Sequence, residues 1–204
     1  MREPTAETFL RDTTDHRMKV YMDNGLYRHV RFNSTISQFN MWFELVTWPS
    51  HLTIAGDMGT WTFSRVEDMF RFFRSSGDLE INPYYWSEKL QNGTHGGRDS
   101  ARVFSEDAFA EQLFDQLQNH FGFEGKRLDE LTAALKDEVL CYDNQHELLL
   151  AARDFKHEDF AFDPCELPSG KIYCYHFLWC LYAIVWGIQK WDESQRETQE
   201  AASQ

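Results

Sequence analysis

Four sets of residues in this 204-residue chain are of types that could do chemistry, and spacing decides what each supports. Cys165, Cys174, His176 and Cys180 are soft metal donors close in sequence, and His176 and Cys180, four apart, share one face of a helix. Neither paired-ligand pattern of a structural zinc site is present, however. Cys174 and Cys180, six residues apart, point about 120° away from each other on a helix. Free thiols are expected, with no metal and no cofactor. His51, Asp57, Glu67 and Asp68 could meet at a sheet end as an acid/base cluster, since imidazole titrates near neutrality and a carboxylate can orient it. Nothing in their spacing requires that meeting, and neither a nucleophile elbow nor a His-Glu-x-x-His pattern occurs. Gly56-Asp57-Met58-Gly59 lacks the glycine spacing and Lys-Ser/Thr pair of a phosphate loop, and reads as a hairpin turn in which Asp57 caps backbone amides. Finally, seven tryptophans allow an aromatic pocket of His51, Asp57, Trp61, Arg65 and Trp86 that would stack a nucleobase, with Arg65, Arg71 or Arg74 against its phosphates. Packing between a sheet and the last helix is the expected use of most of these rings.

Charge is the more informative signal. With 33 acidic and 20 basic residues the formal net charge is −13, which opposes direct binding to nucleic acid or to an anionic membrane. Residues 104–166 hold 16 acidic and 5 basic groups, whereas residues 1–103 are nearly balanced. Glu106, Glu111, Asp115, Asp129, Glu130, Asp137 and Glu138, with Glu147 and Asp154, fall mainly off the apolar stripes of the helices expected there. Such a face can simply keep a protein soluble. It can also present carboxylates to lysines and arginines that otherwise hold phosphates, so these residues are the candidate partner-binding set.

The elements that must position these groups follow from periodicity. Residues 1–17 are polar, contain Pro4 and read as a surface arm or short helix. Alternation on both sides of Asp23-Asn24-Gly25 predicts a β-hairpin. Met41–Trp48, His51–Ala55 and Thr60–Ser64 read as further strands, giving an antiparallel sheet of four to five strands over 18–65. A helical half over 66–195 begins with a Ser64/Glu67 capping box and continues through Tyr84–Leu90 to a Gly/Asn/His-rich loop at 92–97. Helices at 108–121, opened by Ser105, at 128–140 and at 145–155 follow, and an apolar helix at about 173–191 is placed at the centre. Phe177–Ile188 is too short for a membrane span. The polar tail starts at 196. The expected fold is therefore one α+β domain over 18–204, with no linker, no repeat and no secretory start.

The blocks His51–Arg65, Glu67–Arg74, Ile81–Leu90 and Phe177–Asp192 resemble a family of small accessory proteins of tailed phages and prophages, and cover about a third of the chain. The resemblance supplies no catalytic or ligand residues. It implies an inhibitor of a bacterial defence protein or ribonucleoprotein complex, of the anti-CRISPR type, acting in the cytoplasm of the host cell. Two alternatives stand beside it: a sponge for a nucleotide immune signal held in the aromatic pocket, and an enzyme that modifies a host factor. A homodimer through exposed aromatics is left open.

Overall fold

The computed structural model describes residues 3–37, 40–75, 77–94 and 98–202, and shows an α+β protein whose sheet lies in the N-terminal half. Where the sequence reads as one unit over 18–204, these residues group into two compact units, 1–101 with 173–204, and 102–172.

In the first unit, β1 (His16–Asn24), β2 (Tyr27–Ser34), β3 (Phe43–Trp48), β4 (His51–Gly56), β5 (Gly59–Ser64) and β6 (Leu90–Gly93) form a six-stranded antiparallel sheet in sequence order. The first hairpin closes with Asn24 opposite Tyr27, and Gly25 takes the positive φ of 63° that its two-residue loop needs. Strict alternation puts Val30, Phe32, Phe43, Leu45, Leu52, Ile54, Trp61 and Phe63 on one face, all fully buried. Against that face lies the last helix, α7 (Tyr175–Ala202), which buries Phe177 through Ile188 on nearly every side. Gly187 lets the two surfaces approach: a Cβ there would stand 2.8 Å from Leu45 Cδ1. The helix continues to Ala202, so residues 196–202 extend α7 instead of forming a separate tail.

Several expectations shift for identifiable reasons. Residues 6–12 form α1 (Ala6–Asp12), capped by Thr5, and Phe9 is fully buried against Trp179 and Trp186, so this stretch is anchored to the core and not a loose arm. The helix after the sheet is α2 (Met69–Phe73), started by the Asp68 carboxylate and not by Ser64, because Ser64 is held in β5 opposite His51. The segment at 84–90 divides into α3 (Pro83–Ser87) and β6, which adds the sixth strand. Of the loop expected at 92–97, residues 95–97 lie outside the described residues.

In the second unit, α4 (Glu106–Asp115) runs through a π turn at Gln116–His120 and stops before Gly122; α5 (Gly125–Glu138) and α6 (Gln145–Asp154) follow. Two short strands, β8 (Lys156–His157) and β9 (Phe160–Ala161), pair with each other. β7 (Arg102–Phe104) pairs with β10 (Lys171–Tyr173), bringing the two ends of the segment together. Phe109, Leu113, Leu117, Leu131, Leu135, Leu148, Phe155, Phe160 and Phe162 form a core separate from that of the sheet.

Candidate protein-binding surface

The acidic surface is built from the N-cap of α4 upward. Ser105 Oγ accepts from the Ala108 amide, with Glu106 and Asp107 in the first turn, where carboxylates favour the helix dipole. Phe109, Leu113 and Leu117 turn inward at every fourth residue, which forces Asp107, Glu111 and Asp115 into an outward column with the same step. One i, i+4 step rises about 6 Å, so the column is a regular row of negative charges. Asp115 accepts from Asn119 Nδ2 at 2.6 Å; Asp107 and Glu111 make no ion pair among the described residues.

All 16 acidic residues of 104–166 are exposed. Their cations neutralise only part of them. Lys126 pairs with Glu130 at 3.1 Å, Arg127 with Glu158 and Asp159 at 2.5 and 2.6 Å, and Arg153 with Asp154 at 2.7 Å. The Arg153 hydrogen bonds hold the Asp154 carboxyl below its ordinary value. Lys136 lies 5.7 Å from the Phe114 ring. Of the expected set, Glu106, Glu111, Asp115, Asp129, Asp137 and Glu138 stand exposed and outside any ion pair among the described residues, and Glu130 alone is paired. The charges are spread over α4 and α5 and extend to α6, and the most regular row is that on α4.

The aromatic pocket expected from His51, Asp57, Trp61, Arg65 and Trp86 is not assembled. His51 opens β4 and Asp57 follows its end, so the two are separated by the strand's length, roughly 20 Å at the usual rise. His51 Nδ1 lies 3.0 Å from the Pro49 carbonyl and its ring stacks on Trp48. Asp57 accepts from the Met41 amide at 2.5 Å, so its carboxylate ties the turn to a residue 16 positions away instead of capping the turn's own amides, and it supports Met41 at its positive φ. Trp61 is 1% exposed, its ring against Phe177 and its indole N–H donating to the Met58 carbonyl. Arg65 is exposed, while Trp86 borders a different, open cleft of 590 Å³ with Phe73, Arg74, Tyr84 and Tyr173. Arg74 is engaged there by Asp192 through two hydrogen bonds of 2.7 and 2.9 Å.

Of the acid/base cluster, Asp57 lies at the far end of β4 from His51, the Glu67 carbonyl accepts from the Ser50 amide at 2.9 Å beside His51, and the Asp68 carboxylate is taken up by capping α2 and by Arg28 at 2.8 Å. Among the described residues no group of three His, Cys, Asp or Glu side chains is placed to hold a metal. Cys165 is exposed, and Cys180 is buried in α7, where loss of solvation pushes its thiol far up. No helix of the described residues is long and apolar enough to cross a membrane.

One feature of the surface escapes sequence reading. Between α5 and α6 runs a groove of 420 Å³ lined by Glu138, Tyr142, Glu147, Leu150, Ala151, Asp154 and Phe155. In the run Leu148-Leu149-Leu150 only Leu148 is fully buried, and Leu149 and Leu150 are half-buried. The signal was the second stripe, 147, 150, 151 and 154, at helical spacing.

Set against known protein families, curated proteins and solved structures, the chain matches none of them.

Proposed function

We propose that this chain is a protein-binding inhibitor, phage-encoded, that lays the carboxylates of residues 104–166 against a cationic, nucleic-acid-binding surface of a bacterial defence complex and blocks it by occupancy. The observation that carries the reading is the exposure of every acidic group in that segment, with Asp107, Glu111 and Asp115 in register along α4. Ionised groups in water lose little by being there, and gain when a cationic partner meets several at once. No covalent chemistry is called for, and the nucleotide-sponge alternative loses support because its residues are separated along β4 and into the core.

Bacteria with a CRISPR-type defence, challenged by a susceptible phage, test the reading. Expression of the chain should restore plaque formation, and the variant Glu111→Lys/Asp115→Lys/Asp137→Lys/Glu138→Lys should not, while keeping a wild-type circular dichroism spectrum. Binding to the purified effector should weaken at least tenfold between about 50 and about 200 mM salt. Full inhibition by the folded quadruple variant, or binding indifferent to salt, defeats the proposal.

A further inference from the structure

Acidic helix faces ordinarily leave their whole surface to water, but α6 interrupts its charge with an apolar strip. Glu147, Leu150, Ala151 and Asp154 lie at i, i+3, i+4 and i+7, so two carboxylates bracket two apolar side chains along about 10 Å of one helix face. Leu150 and Ala151 are half-buried, with the Phe155 ring, 4% exposed, as the floor of the groove. Across it stand Tyr142, 42% exposed, and Glu138, which has no ion pair among the described residues. The carboxylates lining the groove are Glu138, Glu147 and Asp154; Asp154 shares its charge with the adjoining Arg153 through two hydrogen bonds of 2.7 and 3.0 Å, so a partner cation at that end joins an existing pair, and Glu138 and Glu147 carry the unpaired charge among the described residues. Asn144 Nδ2 donates to Glu147 Oε2 at 2.6 Å and fixes that carboxylate at the head of the strip.

Resting on the function proposed above, we infer that this groove docks an amphipathic cationic helix in which two Lys or Arg residues, seven apart, bracket a pair of apolar side chains. The charge order is complementary position by position: acid, apolar, apolar, acid on α6 against base, apolar, apolar, base on the partner. Two helices packed side by side repeat contacts with this spacing, and the groove accepts the apolar pair while the rim holds the cations. An extended basic strand alternates every second residue and matches only one of the two carboxylates at a time. The apolar floor adds a contact that salt does not screen, so it selects one cationic partner among many.

The test uses the full chain and a fluorescein-labelled 16-residue peptide on an alanine and glutamine background. The peptide holds two lysines seven residues apart and two leucines between them, and is followed by anisotropy at about 150 mM salt. A second peptide replaces the leucines by serines and keeps the charge. Saturable binding of the leucine peptide is expected, at least tenfold tighter than that of the serine peptide. It should be weakened at least tenfold by Glu147→Lys/Asp154→Lys in a protein whose circular dichroism is unchanged. Equal affinity for the two peptides overturns the inference, as does failure of both to bind. So does a loss of affinity on reversing Glu111 and Asp115 of α4 that equals the loss on reversing Glu147 and Asp154. The assay needs no host target, so its failure is separate from that of the plaque test, which judges the broader reading by itself.

Discussion

Asp68 holds two elements at once. Its carboxylate accepts from the Phe70 amide at 3.0 Å to start α2, and takes two hydrogen bonds from Arg28 of β2, whose guanidinium lies over the Phe70 ring. Partial burial works against its ionisation, but the Arg28 hydrogen bond and charge prevail, and the carboxyl is held below its ordinary value of 3.8. A carboxyl depressed on folding contributes stability above its unfolded value, and that contribution is lost as pH falls through the lower folded value. Asp68→Ala should cost about 1–2 kcal/mol in urea unfolding at neutral pH, as lost caps do. The gap between wild type and variant should then close as pH is taken below about 4. Thiol accessibility gives a second check: Cys141 and Cys165 should react with a thiol reagent in the native protein, and Cys180 only after unfolding. Which amide Asp57 meets, that of Met41 sixteen residues away, was hidden by sequence distance, and only the choice of a backbone amide as its partner was legible. The partnership of Asp68 with Arg28 was not, because the two are 40 residues apart and only strand order brings them together.

At the scale of elements, the packing of α7 on the sheet is set by one missing side chain. At Gly187 a Cβ would meet Leu45 Cδ1 at 2.8 Å and Phe32 Cε2 at 3.1 Å, so Gly187→Val should destabilise by about 1–3 kcal/mol, read from the denaturant midpoint at constant slope. Strands β2 to β5 were readable because one face of each is buried and alternates within the strand, whereas β1, exposed along most of its length, was readable from the Asp23-Asn24-Gly25 turn that pairs it with β2. β6 was not: Leu90-Gln-Asn-Gly has only one large apolar residue, and it joins the sheet because Gly93 leaves room beside the Trp61 ring. Likewise Phe9 and Leu10 are the only large apolar residues between Thr5 and Arg17, too few for a period, although Phe9 is fully buried. The acidic helices of 102–172 were visible in outline from their stripes, with ends displaced by the π turn after α4 and by the early start of α5 at Gly125. Exposure of their carboxylates followed from those stripes. The groove on α6 did not, because three consecutive leucines conceal which of them faces outward.

For the whole molecule, the two cores matter most. The residues of the 102–172 core come from that segment alone, and those of the sheet core from 1–101 and 173–204. A segment with its own core unfolds as its own cooperative unit. Residues 102–172 produced alone should therefore show a helical circular dichroism spectrum and a single cooperative thermal transition, and a non-cooperative melt of that fragment rejects independence of the two cores. The Ala101 carbonyl accepts a hydrogen bond from the Cys174 amide at 2.9 Å, so the chain leaves the sheet unit and returns to it at almost the same spot. A bridge of two or three residues would span that gap, so the charged cassette can be lifted out and transplanted, or exchanged for one of different chemistry. Its host would keep all six strands and the long helix that covers them.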